Sequence, residues 1–185
     1  MIKDALQEAE NRMKGAISVL EEDLAGIRTG RASPALVDKL LVEYYGTPTP
    51  LQQLATIAIP EPQLITIRPF DPSSLGAIEK AIRASALGLT PSNDGKLIRL
   101  TLPPLSEERR LELGKLVHKR LEEAKIAVRN VRRDTQDDLR EFEKEKLISE
   151  DDFYRGRDEL QELTDTYTAK VDEIGERKQK EILEV

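Results

Sequence analysis

The chain has 185 residues and a formal net charge of -6, and 35% of its residues are charged while only 4% are aromatic. It contains no Cys, which excludes disulfides and thiolate metal sites. The N-terminal segment lacks the apolar core of a signal peptide and no apolar run approaches a membrane span, so we predict a cytoplasmic protein with no membrane partner.

The first segment, residues 1–30, has the heptad-like apolar pattern of a helix that packs along one side. Its apolar positions are Leu6, Met13, Ile17, Leu20, Leu24 and Ile27. Gly30 stands where a left-handed C-terminal cap is expected, and Arg28 suits the last turn of the helix dipole. We therefore predict a helix that ends close to Gly30.

The helical periodicity is lost between residues 31 and 104, a segment that contains all ten prolines of the chain. Ser33-Pro34 is typical of the start of a short helix. Residues 73–86 read as a longer helix that ends before Gly88. Short alternating runs bounded by turn residues predict strands. These runs are residues 41–45, 55–59, 64–68 and 96–102. The segment is therefore a small module of strands and helices.

Helical periodicity returns after residue 104. Ser106 is a plausible N-cap for a helix that continues to about Lys144, and residues 147–152 resemble a turn with a fresh cap before a third helix. Three amphipathic segments can cover one another only as a bundle. We predict a three-helix bundle from residues 1–30 and 105–185, with residues 31–104 as an inserted domain.

The insert must leave and re-enter the bundle at one end, which predicts a hinge of two chain segments. Its residues are Thr29, Gly30, Arg31, Pro103, Pro104 and Leu105. The alternative is a rigidly docked insert, because prolines also stiffen a chain.

The second bundle helix carries a basic stripe. At about 100° per residue, Lys125, Arg129, Arg132 and Arg133 fall in one sector beside a separate apolar stripe. This pattern predicts a helix that packs on its own protein and also contacts a polyanion. The alternative is a solvated face with i,i+4 partners, such as Asp137 for Arg133. Residues 150–185 carry 6 basic and 12 acidic groups, so the acidity of the chain resides in its last helix.

No pattern typical of catalysis is present. His118 is the only His, no glycine-rich phosphate loop occurs, and no spacing of His, Asp or Glu resembles a metal site. We predict a protein that is not an enzyme, with no catalytic residue, metal or cofactor.

Four motifs closely resemble the ribosome recycling factor family: residues 27–34 (IRTGRASP), 42–51 (VEYYGTPTPL), 103–110 (PPLSEERR) and 128–134 (VRNVRRD). The resemblance implies an α+β fold: an elongated three-helix bundle with an inserted small β/α/β domain, L-shaped overall. It implies a monomer that splits post-termination ribosomes into subunits together with elongation factor G and GTP.

In that family the bundle lies on the ribosomal RNA of the large subunit, and the smaller domain engages elongation factor G. The family's arginines at the positions of Arg28, Arg129 and Arg132 are implicated in ribosome binding. Together with the basic stripe, this gives an expected ribosome-binding set, namely Arg28, Lys125, Arg129, Arg132 and Arg133. The alternative function is a helical-bundle chaperone or adaptor that binds partner helices, which would show exposed apolar seams and self-association.

Overall fold

The computed structural model describes residues 1–184. Four α-helices and six strands follow one another along the chain: α1 (Ile2–Ala25), β1 (Leu41–Tyr44), β2 (Thr47–Pro50), β3 (Ala55–Glu61), β4 (Leu64–Pro69), α2 (Leu75–Ala84), β5 (Ser92–Asn93), β6 (Ile98–Thr101), α3 (Glu107–Lys144) and α4 (Glu150–Leu183). Short 3-10 helices occupy Pro34–Leu36, Leu51–Gln53 and Pro72–Ser74. Helices plus a small sheet domain are the predicted α+β class, so that prediction is confirmed.

The chain divides into two compact units. The helical unit comprises Met1–Leu24 and Gly114–Gln179, and the mixed unit comprises Ala25–Leu113 with the segment from Lys180 onward. This division assigns the first residues of α3, up to Leu113, and the last residues of α4, from Lys180, to the mixed unit. The division predicted from the sequence, residues 1–30 plus 105–185 against 31–104, stays a prediction.

The helical unit is held together by apolar side chains from its three helices. Its core contains Ala9 and Met13 of α1, Val128 and Val131 of α3, and Leu160 and Tyr167 of α4. Each position belongs to the period of three to four residues that brings one side of a helix against its neighbours. The burial of these residues accounts for the apolar stripes seen in the sequence.

The mixed unit contains a four-stranded antiparallel sheet in the order β3-β4-β6-β5 and a separate β1–β2 hairpin. Helix α2 covers the sheet through Ile78 and Ile82, which are fully buried with Ile65 and Ile67 of β4. The four predicted strands correspond to β1, β3, β4 and β6. Strands β2 and β5 were not predicted, because β2 contains two prolines and β5 has only two residues.

The predicted cap at Gly30 is wrong, and the predicted cap at Ser106 is confirmed. The Ser106 hydroxyl accepts the N–H of Arg109 at 3.1 Å, as an N-cap does. Helix α1, however, ends at Ala25, and Gly30 is not among the glycines with positive φ. A Cβ at Gly30 would lie 3.2 Å from the Glu184 carbonyl oxygen, so this glycine permits a close backbone approach.

No helix within residues 1–184 combines the length and the apolar character needed to cross a membrane.

Tyr167 makes the helical unit sensitive to high pH. The residue is 2% exposed, and its hydroxyl donates to Glu10 Oε1 at 3.0 Å. Burial, and secondly the hydrogen bond to Glu10, raise the pKa of Tyr167 to about 12 from 10.0. The folded state therefore favours the neutral phenol. This contribution to stability is complete below pH 10 and is lost as the pH rises toward 12.

Tyr167→Phe is expected to lower the free energy of unfolding by about 1 kcal/mol at pH 8, because the Glu10 acceptor loses its donor. The difference in the free energy of unfolding between the two proteins should shrink as the pH rises from 9 to 11. Only the unsubstituted protein has a phenol at position 167, so only it loses stability when that phenol ionises. Urea unfolding at each pH measures both effects. A difference that stays constant over this range would contradict the assigned pKa.

Candidate nucleic-acid interface

Helix α3 presents two chemically different sides. Val117 and Val128 are fully buried and Ala124 nearly so, whereas Arg129 and Arg133 are exposed. The packed side fixes the rotation of the helix about its axis, because an α-helix repeats every 3.6 residues. Burial of the apolar stripe therefore directs the two arginines to solvent.

Arg129 and Arg133 carry uncompensated charge. Within residues 1–184, no carboxylate lies at ion-pair distance from either guanidinium, although other arginines of α3 are paired, such as Arg120 with Glu123 at 3.0 Å. The pairing of Arg133 with Asp137, which the solvated-face alternative gave as an example, does not form. A cationic surface without internal partners attracts anions.

Arg132 is half-buried and oriented by a neutral partner. Its Nη1 donates to Gln161 Oε1 of α4 at 3.2 Å, and Gln161 Nε2 donates to Asp165 Oδ1 at 2.9 Å. An amide acceptor fixes the direction of the guanidinium but leaves its charge in place. We call Arg129, Arg132 and Arg133 the α3 arginine face.

Lys125 differs from the expectation of a free cation. Its side chain is only 18% exposed, and its Nζ lies 2.7 Å from Asp172 Oδ1 of α4. A carboxylate this close neutralises the ammonium, and the same contact joins α3 to α4. The structure therefore gives Lys125 a part in helix packing, and it is not included in the α3 arginine face.

Arg28 lies in the mixed unit, after the end of α1. Its Nη2 donates to the Pro103 carbonyl at 2.6 Å, and its buried Nε has no hydrogen-bond partner within residues 1–184. Burial, and secondly the like charge of Arg109, lower the pKa of Arg28 below its usual value. The guanidinium still titrates far above neutral pH and remains a cation. This side chain joins the segment that follows α1 to the segment that precedes α3.

The predicted hinge residues lie where these two segments meet. The N–H of Ala32 donates to the Pro62 carbonyl at 2.7 Å, and the N–H of Leu102 donates to the Gln63 carbonyl at 2.8 Å. Both segments are thus attached to the turn between β3 and β4.

Within this region the side chains of Thr29 and Leu105 are buried. Arg31 Nε lies 3.1 Å from Glu184 Oε2. All six predicted hinge residues, Thr29, Gly30, Arg31, Pro103, Pro104 and Leu105, belong to the mixed unit. Whether they act as a hinge stays a prediction.

Sequence reasoning assigned no functional part to Gln161, although Gln161 orients Arg132. The available signal was the pair Gln161 and Asp165, whose i,i+4 spacing places both side chains on one helix face. The contact of Gln161 with α3 depends on the packing of two helices and was not visible in the sequence.

Within residues 1–184, no group of three or more His, Asp or Glu side chains is arranged to hold a metal ion, and His118 is exposed.

Comparison with known proteins agrees with this architecture. The family model described as ribosome recycling factor matches residues 20–183. Curated ribosome-recycling factors of Dehalococcoides mccartyi and Halalkalibacterium halodurans are 56% and 55% identical to the chain, with full coverage of both sequences in each case.

Two solved structures also resemble the chain. A solution structure of a ribosome recycling factor is 47% identical, with a TM-score of 0.78 and coverage of 100% of this chain and 98% of that one. A model of the Thermus thermophilus factor, bound with Escherichia coli elongation factor G to the post-termination complex, is 45% identical, with a TM-score of 0.70 and full coverage of both chains.

A bundle of long helices with an inserted sheet domain, matched over its full length to such proteins, defines a non-enzymatic translation factor. The chain belongs to the ribosome recycling factor family.

Proposed function

We propose that the chain binds the large ribosomal subunit through the α3 arginine face and, together with elongation factor G and GTP, splits post-termination ribosomes into subunits. The observation that carries the proposal is the pair of exposed arginines, Arg129 and Arg133, that have no carboxylate partner within residues 1–184. A related factor has been described on the post-termination complex together with elongation factor G, which supports the same partners here.

Ribosomal RNA phosphates are the anions that suit this face. The planar guanidinium can donate two hydrogen bonds to one phosphate, which gives both attraction and orientation. Residues 125–133 contain no aromatic side chain on which a base could stack. The contact therefore reads the shape and charge of folded RNA rather than its sequence.

The overall charge of -6 does not oppose this mode of binding. Interactions between exposed charges are screened beyond about 8 Å at physiological salt, so the acidic residues of α4 repel an anion only within about that distance.

We propose that Arg28 contributes to ribosome binding as well. We also propose that the chain acts as a cytoplasmic monomer, and that the segments around Thr29–Arg31 and Pro103–Leu105 bend while the partner GTPase supplies the energy.

The experiment combines binding with splitting. The purified chain is sedimented with large ribosomal subunits over a range of salt concentrations, and the splitting of post-termination ribosomes is followed by light scattering with elongation factor G and GTP. We expect binding that weakens as salt rises, and splitting that requires all three components. Failure to sediment with large subunits even at low salt would overturn the proposal.

A further inference from the structure

The tip of the β1–β2 hairpin holds a large side chain in a backbone conformation that it normally avoids. Tyr44 pairs with Thr47, and the two residues between them, Tyr45 and Gly46, both have positive φ angles of 48° and 77°. This is the geometry of a type I′ turn, whose first central position strongly favours Asn, Asp or Gly. A bulky residue at positive φ is strained, and such strain is characteristic of functional sites.

Burial does not explain the presence of this tyrosine. Tyr45 is 82% exposed, and its only ring contact within the described residues is an edge-on arrangement with Tyr44, at 4.6 Å between ring centroids. The fold therefore gains little apolar burial from a residue whose backbone it strains. A single exposed aromatic residue needs no explanation, but an exposed aromatic residue in a strained turn does.

The base of the hairpin tip is fixed. The Tyr44 hydroxyl donates to Asp71 Oδ2 at 3.1 Å, and Asp71 Oδ1 accepts the hydroxyl and the N–H of Ser73 at 2.7 and 2.9 Å. The hydrogen bonds from Ser73, and then the one from Tyr44, hold the pKa of the Asp71 carboxyl below its usual value, so it remains an acceptor at neutral pH. Tyr44 is thus anchored, and it supports the ring of Tyr45.

We propose that Tyr45 is a pre-organised anchor that inserts into an apolar pocket of a partner protein. An aromatic side chain that is already ordered loses little conformational entropy on binding, which is why tyrosine is enriched among the residues that dominate protein interfaces. Phe70, which is 66% exposed and precedes Asp71, adds apolar surface close to the anchored end of the hairpin.

The charge of the hairpin distinguishes a protein from a nucleic acid as the occupant. Residues 41–50 contain one charged residue, Glu43, and no cation. Aromatic platforms for single-stranded nucleic acid lie in positively charged grooves that hold the phosphates, and this hairpin offers no such charge. The occupant is therefore a protein whose pocket is apolar and whose rim is neutral or basic. The inference rests on the proposed function, because that partner must be present at the post-termination ribosome.

The test compares Tyr45→Asn with the native chain. Asn suits the turn, so the thermal midpoint of unfolding should be unchanged or higher. The splitting of post-termination ribosomes at limiting elongation factor G should fall roughly 30-fold, as for the loss of a dominant interface residue. Binding to isolated large subunits should not change. Unchanged splitting would overturn the inference, and a lowered thermal midpoint would show that Tyr45 serves the fold.

Tyr154 provides the matched control. It is an exposed tyrosine whose ring also lies edge-on to its neighbour, Phe153, but it belongs to the helical unit. Tyr154→Ala should leave splitting unchanged. If the native chain fails to bind large subunits, the proposed function fails. If it binds and splits ribosomes while Tyr45→Asn does so equally well, only the inference about Tyr45 fails.

A second measurement identifies the class of the occupant. The variant Tyr45→p-benzoylphenylalanine is bound to purified post-termination ribosomes with purified elongation factor G and irradiated. We expect a crosslinked product that protease degrades and ribonuclease leaves intact. A crosslink to RNA would overturn the assignment of a protein pocket, and so would the absence of any crosslink in complexes that still split.

Discussion

Replacing Arg129 and Arg133 together with Glu is expected to weaken binding to large ribosomal subunits by a factor of about 100 or more. Each charge-assisted hydrogen bond to a phosphate contributes about 1.5 kcal/mol or more, and 1.4 kcal/mol corresponds to a factor of ten. The slope of log affinity against log salt should also fall by roughly 1.4–1.8, because two phosphate contacts are lost. Sedimentation at several salt concentrations measures both quantities.

A matched variant separates local from global charge effects. Arg157→Glu combined with Arg177→Glu reverses two exposed arginines of α4, each already close to an acidic side chain, Asp158 and Glu173 respectively. Each pair of reversals changes the formal charge by 2 × (-2), or -4. If both double variants lost the same affinity, net charge would explain the result and the α3 arginine face would not. Circular dichroism of all variants checks that the helices are intact.

The sequence predicted the helical parts of the fold well, because long helices leave repeated signals. The start of α3 was visible from Ser106, and its end near Lys144 from the turn and cap expected at residues 147–152. The end of α1 was misplaced because Gly30 resembles a cap. In the structure the chain leaves the helix five residues earlier, and Gly30 instead admits the backbone of Glu184. A close backbone contact between segments that are far apart in the chain leaves no recognisable pattern in the sequence around either one.

The candidate interface was predictable in part. Spacing alone placed Arg129, Arg132 and Arg133 on one side of α3, but it could not show which cations were already neutralised. Lys125 shares their sector and yet pairs with Asp172, a residue 47 positions later in the chain. The orientation of Arg132 by Gln161 likewise depends on how α4 packs against α3. Helical periodicity specifies directions around one axis, whereas pairing depends on the neighbouring helix.

The strain at Tyr45 was also beyond the sequence. Residues 42–51 carried part of the family resemblance and residues 41–45 were predicted as a strand, but the positive φ of Tyr45 follows from the register of the hairpin. With Tyr44 paired to Thr47, only two residues remain to reverse the chain, and the primed turn matches the twist of the strands. A shift of the register by one residue would have removed the strain.

Gly175→Val is expected to destabilise the helical unit by about 2–3 kcal/mol, as overpacking of a filled interface does. A Cβ at this position would overlap Leu121 Cδ1 and would lie 3.0 and 3.1 Å from Leu121 Cδ2 and Cγ. Because Cγ is also close, rotation of the outer methyl groups cannot relieve the clash, so either the whole Leu121 side chain or the backbone must shift. The midpoint of thermal unfolding should fall by roughly 4–12 °C for a chain of this size.

Gly15→Val is the matched control, since the space around a Cβ at Gly15 in α1 is open to 4 Å. The same substitution there should change stability by no more than about 0.5 kcal/mol, because valine is a slightly better helix former than glycine. Combining Gly175→Val with Leu121→Ala should restore part of the loss, with a coupling energy of about 1 kcal/mol or more. Additive effects in that double variant would mean that contact with Leu121 is not what requires a glycine, and that backbone flexibility at residue 175 must be the reason.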